Sequence, residues 1–236
     1  MAIKSGLPFL PNEGIIFLDN CAFNRDDYIF TNIERKYHSP AYLKKEIVRL
    51  TSLKTQLSVM DNWCTIKEVI EEFIDGNRTF NYKIKSSNCI QREKALKNLL
   101  EQRKETLQIL NQEHVIADNS IVNELEDIIK EITPQIEQKF NMREGKTNKK
   151  RTDIKLISLA LAYARQDYSF IFSQDQALLK TFSDCARDLY LYPKTYVISD
   201  RFKTPIPTQS YNEVLRRVRE NPNTHKTQPI SQFHLS

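Results

Sequence analysis

An α/β fold with a central parallel sheet is predicted for this chain, and three observations predict it. Short, wholly apolar runs recur far apart, Ile15-Ile16-Phe17-Leu18 early and Phe170-Ile171-Phe172 late. Runs that are apolar on both sides fit strands buried on both faces, as in a parallel sheet. Strand-like runs alternate with segments of helical period, and that alternation places helices on both faces of the sheet. Finally, each run leads into a carboxylate, Asp19 after the first and Asp175 after 169–173. Ligands collect outside the carboxyl ends of strands in open α/β sheets. If the two strands are neighbours, Asp19 and Asp175 converge on one crevice.

Composition narrows the class. The 236 residues allow one elaborated domain or two small ones. A hydrophobic fraction of 40% supports a core, and 28% charged residues is ordinary for a soluble protein. No apolar run approaches the ~20 residues of a membrane span, and Met-Ala-Ile-Lys-Ser-Gly-Leu-Pro lacks the apolar core of a signal peptide. A cytoplasmic protein with no membrane association is the expectation. Cys21, Cys64, Cys89 and Cys185 are far apart and form no C-x-x-C pair, so they read as free, mostly buried thiols in a reducing compartment. His38, His114, His225 and His234 are equally scattered, which gives no zinc spacing. Any metal would be a hard ion held by oxygen. A net charge of +5 and a pI of about 8.9 are compatible with a polyanionic partner without identifying one.

The elements follow in order. Residues 1–13 read as an irregular lead-in to the first strand, and 24–27 (Asn-Arg-Asp-Asp) as a polar loop after it. Ser39-Pro40 offers a cap and then a proline at the first helical position. That helix runs to about Leu57, with Leu43, Ile47, Leu50 and Leu53 near helical period. Asp61-Asn62 breaks the chain, and Trp63-Cys64 is a short extended piece. Thr65-Ile66-Lys67-Glu68 reads as a capping box opening a helix with Val69, Ile70, Phe73 and Ile74, which stops at Asp75-Gly76.

Residues 77–145 are highly charged and carry two long helical patterns. One spans about 88–112, with Leu96, Leu99, Leu100, Leu107 and Leu110 in a stripe; the other spans about 120–140, with Ile121, Leu125, Ile128, Ile129 and Ile132. They read as a helical hairpin inserted into, or capping, the α/β core, with Pro134 kinking or restarting the second helix. A basic, flexible loop covers 142–151. Helix 152–166 is apolar nearly all round and therefore buried. Strand 169–173, helix 176–186 and strand 195–199 complete the series. The polar, proline-bearing tail 221–236 is expected to be loose. One domain over 1–220, with an insertion at about 77–145 and a flexible tail, is the resulting organisation.

Four acids stand out: Asp19, Glu72 in the helix opened by Thr65, Asp153 at the start of the buried helix, and Asp175. Each has a plain alternative. Asp153 and Asp175 sit where acids cap helices. Asp19 fits a turn. Glu68 is explained by the capping box, and Glu71 competes with Glu72, which the spacing to Phe73 and Gly76 favours. Asp200 reads as a surface turn acid.

The arrangement resembles the PIN domain, a metal-dependent nuclease family. The resemblance rests on Phe17-Leu18-Asp19-Asn20, on the helical Glu72-Phe73-Ile74-Asp75-Gly76, on Asp153 opening the Ala/Leu-rich segment 154–162, and on Phe172-Ser173-Gln174-Asp175. It covers roughly 14–76 and 150–200. The family has Thr or Ser and then Asn after the first Asp, whereas Asn20 and Cys21 stand there in this chain. The resemblance implies a three-layer α/β/α PIN-like fold and an endoribonuclease in which Asp19, Glu72, Asp153 and Asp175 bind Mg²⁺ or Mn²⁺.

Hard divalent ions prefer carboxylate oxygens. They neutralise phosphate charge and activate water for phosphodiester hydrolysis, and packed carboxylates repel unless a cation neutralises them. Asn20 and Ser173 are candidates for orienting a carboxylate or a metal-bound water, or for making a local turn bond. Lys146, Lys149, Lys150 and Arg151, just before Asp153, are suited to a phosphate backbone, or to a merely solvated loop. RNA is the implied substrate, with single-stranded DNA open. The hairpin has three uses open to it: shaping a substrate channel, binding a partner protein, or forming a homo-oligomer. Small PIN toxins have inhibitory protein partners, so an enlarged toxin-type nuclease with such a partner is one form of the expectation. The competing expectation is a non-catalytic PIN-like scaffold that binds RNA or protein.

Overall fold

A four-residue segment with no polar side is stable only between two apolar layers, and the strands of this protein lie in that position. The computed structural model describes residues 8–23, 40–85, 90–110, 115–116, 120–144 and 150–220. Strands β1 (Ile15–Leu18), β2 (Trp63–Ile66), β3 (Val115–Ile116), β4 (Ser169–Phe172) and β5 (Thr195–Ile198) pair in parallel. The two-residue β6 (Ile206–Pro207) is antiparallel to β5. The order across the sheet is β3-β2-β1-β4-β5-β6. The described helices are α1 (Asn20–Phe23), α2 (Pro40–Leu57), α3 (Lys67–Lys85), α4 (Ile90–Leu110), α5 (Ser120–Glu144), α6 (Lys150–Tyr163), α7 (Gln176–Asp188) and α8 (Thr208–Glu220), with a 3₁₀ turn at Tyr192–Lys194.

Side chains alternate across a strand, and that alternation divides the core. Phe17, Cys64, Ile66, Ile171 and Val197 join the core built with α5 to α8. Ile16, Leu18, Trp63, Phe170, Phe172 and Ile198 join the core built with α1 to α4. A third cluster, Leu43, Leu50, Phe80, Leu96, Leu99 and Leu100, fastens α2, α3 and α4 to one another. The architecture is a three-layer α/β/α sandwich. Helix α6 is buried as its composition requires, with Leu156, Ile157, Leu159, Ala160, Leu161 and Ala162 all inside.

Several local expectations change. The two long helices of 77–145 exist, but β3 stands between them and they take opposite faces. Leu110 of α4 packs with Ile16 and Trp63, while Leu125, Ile132 and Ile136 of α5 pack with Phe17 and Ile171. Each carries an apolar stripe that a different face of the sheet covers, so the inserted helices are built into the two layers of the sandwich. Helix α3 does not stop at Gly76 but continues to Lys85, because Phe80 finds the third core beyond it. Pro134 lies inside α5, which is assigned as one helix across it. Gly14 does have a strict role. It enters β1 at φ +70, and a Cβ there would collide with the carbonyl oxygen of Tyr168, whose oxygen accepts from the Ile15 N–H at 3.0 Å.

Among the described residues no helix is long and apolar enough to cross a membrane. The polar loop 24–27, Cys89, the four histidines, the tail 221–236 and most of the basic loop lie outside the described residues.

Candidate functional site

From β1 the chain builds the sheet outward through β2 and β3, and β4 and β5 extend it the other way. The carboxyl ends of β1 and β4 are therefore the switch point of the sheet, where open α/β folds carry their ligands. The two ends are level, with Leu18 opposite Phe172, and the ladder continues one step as the Asp19 N–H donates to the Phe172 carbonyl at 3.1 Å.

Asp19 is buried at 4% exposure. The Ser173 hydroxyl donates to its Oδ2 at 2.5 Å, and the Cys21 N–H donates to the same oxygen at 3.2 Å. Ser173 Oγ in turn accepts from the Asp175 N–H at 2.9 Å. Asp175 also caps α7, its Oδ1 accepting from Ala177 N at 2.7 Å and Leu178 N at 3.3 Å. Asp19 and Asp175 thus converge through Ser173, which orients the first carboxylate and anchors the backbone of the second.

Asp153 lies half-buried in the first turn of α6. Cys21 is the neighbour common to all three acids. Burial pushes its thiol upward, and the charges of Asp19, Asp175 and Asp153 add to the rise. Burial also pushes the Asp19 carboxyl up from 3.8 to about 6; the bonds from Ser173 and Cys21 pull it down, and the charge of Asp175 raises it further. Asn20 opens α1 half-buried, with its Oδ1 buried and lacking a hydrogen-bond partner.

The acid on α3 that is tied to α6 is Glu68. Its Oε1 accepts from Lys155 Nζ at 2.6 Å, two residues beyond Asp153. Burial raises the Glu68 carboxyl, but the bond and charge of Lys155 outweigh it and leave the carboxyl below its ordinary value. Glu72, one turn further on, is half-buried. The capping-box reading of Glu68 fails because Thr65 is still in β2, where its hydroxyl donates to the Leu18 carbonyl at 2.7 Å. Glu68 is the first acid past β2, as Asp19 is past β1. Asp200 is no surface acid, for its carboxylate is buried 3.3 Å from the Arg49 guanidinium. Arg151 is exposed in the first turn of α6; Lys146 and Lys149 lie outside the described residues, as does the side chain of Lys150.

The donor chemistry fits a hard divalent cation. The candidates are carboxylate oxygens, Asp19 is desolvated without a neutralising cation, and Glu68 Oε2 and Asn20 Oδ1 are buried without a hydrogen-bond partner. Among the described residues, no three His, Cys, Asp or Glu side chains form a group that could hold a metal ion. The chain matches no family model, no curated protein and no solved structure.

Proposed function

We propose that the protein is a Mg²⁺- or Mn²⁺-dependent endoribonuclease of PIN-like type, with its centre at the carboxyl ends of β1 and β4. The observation that carries this reading is Asp19, a desolvated carboxylate at a sheet switch point, held by Ser173 and facing the charge of Asp175, while the charge of Asp153 reaches the adjacent Cys21. Asp19, Asp153 and Asp175 would hold the cation, and Glu68, whose Oε2 is buried without a hydrogen-bond partner, competes with Glu72 for the fourth place. When bound, the cation neutralises the phosphate and acidifies the attacking water.

The chain's own groups prepare that step. Ser173 and the Cys21 N–H fix the Asp19 carboxylate in one orientation. Asp175 is held by its own capping bonds. Arg151, exposed in the first turn of α6 two residues before Asp153, brings positive charge suited to a phosphate backbone. RNA is the substrate favoured by the family resemblance, and single-stranded DNA is the comparison substrate.

A purified-protein assay on fluorescent single-stranded RNA tests this. Cleavage should require Mg²⁺ or Mn²⁺, stop with EDTA, and disappear in Asp19→Asn and Asp153→Asn. The second reading, a non-catalytic RNA- or protein-binding scaffold, is favoured by Cys21 at the family's Asn position. It predicts binding without cleavage under every cation condition. Full activity in either mutant would remove those residues from the centre.

A further inference from the structure

We propose that Arg49, on α2, is the positioning residue for Asp19, acting by clamping the single helical turn α1 beneath the site; this rests on the nuclease reading above. Asp19 leads directly into α1, and the Ala22 N–H donates back to the Asp19 carbonyl at 2.9 Å. A four-residue helix cannot sustain itself, since one turn fixes several residues for hardly any hydrogen bonds. Its terminal carbonyls need outside donors, and Arg49 provides them. Nη1 donates to the Ala22 carbonyl at 2.9 Å and Nη2 to the Phe23 carbonyl at 3.4 Å.

The guanidinium is itself held in place. Nε and Nη2 donate to Glu46 Oε1 at 2.9 and 2.6 Å, and Nη1 lies 3.3 Å from Asp200 Oδ2, just beyond β5. Arg49 and Glu46 are 5% and 4% exposed. The cluster joins α2, α1 and the segment just past β5. The Asp19 carboxylate is held from β4 through Ser173, and the turn it leads into is held from α2 through Arg49. Lysine cannot replace it, because a point charge lacks the fork that spans two carbonyls and two carboxylates. Buried as it is, Arg49 does not touch RNA, so it acts on the turnover step and on cation affinity rather than on substrate capture.

The test compares wild type, Arg49→Ala, and an apolar replacement of the whole cluster, Glu46→Leu/Arg49→Met/Asp200→Leu, which leaves no buried charge uncompensated. Amide exchange of the peptide covering 19–23, Mn²⁺ affinity by calorimetry, and kcat and KM on single-stranded RNA are measured for each. Exchange over 19–23 should quicken at least about tenfold and Mn²⁺ affinity fall about 10–100-fold, with kcat falling in step and KM nearly unchanged. Millimolar guanidinium should restore part of each loss in Arg49→Ala, and urea at the same concentration should not. Unchanged exchange over 19–23 in a folded variant overturns the proposal. So does loss of protection spread equally over β1, β4 and β5 in both variants, which would make Arg49 a residue of the general fold. A wild-type protein that neither binds Mn²⁺ nor cuts RNA removes the nuclease reading, and the exchange comparison then decides the clamp by itself.

Discussion

Replacing Asp19 by Asn should make the cation-free protein more stable, although it abolishes activity. Burial lifts the folded-state carboxyl from 3.8 to about 6. Between those values the native state holds a proton that the unfolded chain has lost, so the slope of stability with pH is negative in that window. Asp19 therefore favours folding at about pH 4 and progressively less as pH rises to about 6 and beyond. At about 1.36 kcal/mol per pKa unit, the rise corresponds to about 3 kcal/mol withdrawn at neutral pH. Asparagine does not titrate, and its carbonyl oxygen accepts the bonds from Ser173 and Cys21. In urea titrations with EDTA, the stability of Asp19→Asn minus that of wild type should grow by about 2–2.5 kcal/mol from pH 4 to pH 7.5. The difference isolates Asp19, since every other group titrates in both proteins. In a chain of this length about 3 kcal/mol moves the melting temperature by roughly 6–12 °C. Saturating Mg²⁺ should close the gap by stabilising the wild type, by about 2.7 kcal/mol at a hundredfold excess over Kd, and should leave the variant almost unmoved. A difference that stays flat from pH 4 to 7.5, or shrinks, would refute the desolvated-carboxylate reasoning.

Other expectations follow from the same contacts. Ser173→Ala removes the hydroxyl that lowers the Asp19 pKa, so the midpoint of that pH-dependent difference should move up by about one unit or more. Mn²⁺ affinity in calorimetry should fall about 10–100-fold in the same variant. Glu68→Gln should weaken Mn²⁺ binding about tenfold or more while Glu72→Gln leaves it within about twofold; the reverse ranking would return the fourth place to Glu72. Gly14→Ala should cost about 1–2 kcal/mol for its left-handed backbone alone, plus the collision with Tyr168, read as a lower urea midpoint at constant m.

What the sequence carried, it carried through strong local pattern. β1 and β4 were legible because four and three apolar residues in a row leave no face for solvent, and the carboxylates after them follow by position. Their meeting at Ser173 depended only on the strands being neighbours, which the register of Leu18 with Phe172 provides. The capping-box reading of Glu68 came from a coincidence. Thr-x-x-Glu is a capping box in isolation, but the Thr65 hydroxyl goes to Leu18 once β2 lies beside β1. The continuation of α3 past Gly76 depends on Phe80 reaching a core made by α2 and α4, and a local stop signal yields to such packing. β3 has two residues and no periodicity to read, so its place between two long helices could not be inferred, and the hairpin reading followed. The burial of Asp200 is a contact with Arg49 from a distant helix, for which no neighbouring residue gives a sign.

Growing crystals with MnCl₂ and recording anomalous scattering at the manganese edge puts the most direct question to the protein. A difference peak within coordination distance of the Asp19 carboxylate, bounded by Asp153 and Asp175 and absent in Asp19→Asn, is the result expected. Manganese found only elsewhere, or no peak there at saturating concentration, would contradict a hydrolytic cation centre at the ends of β1 and β4.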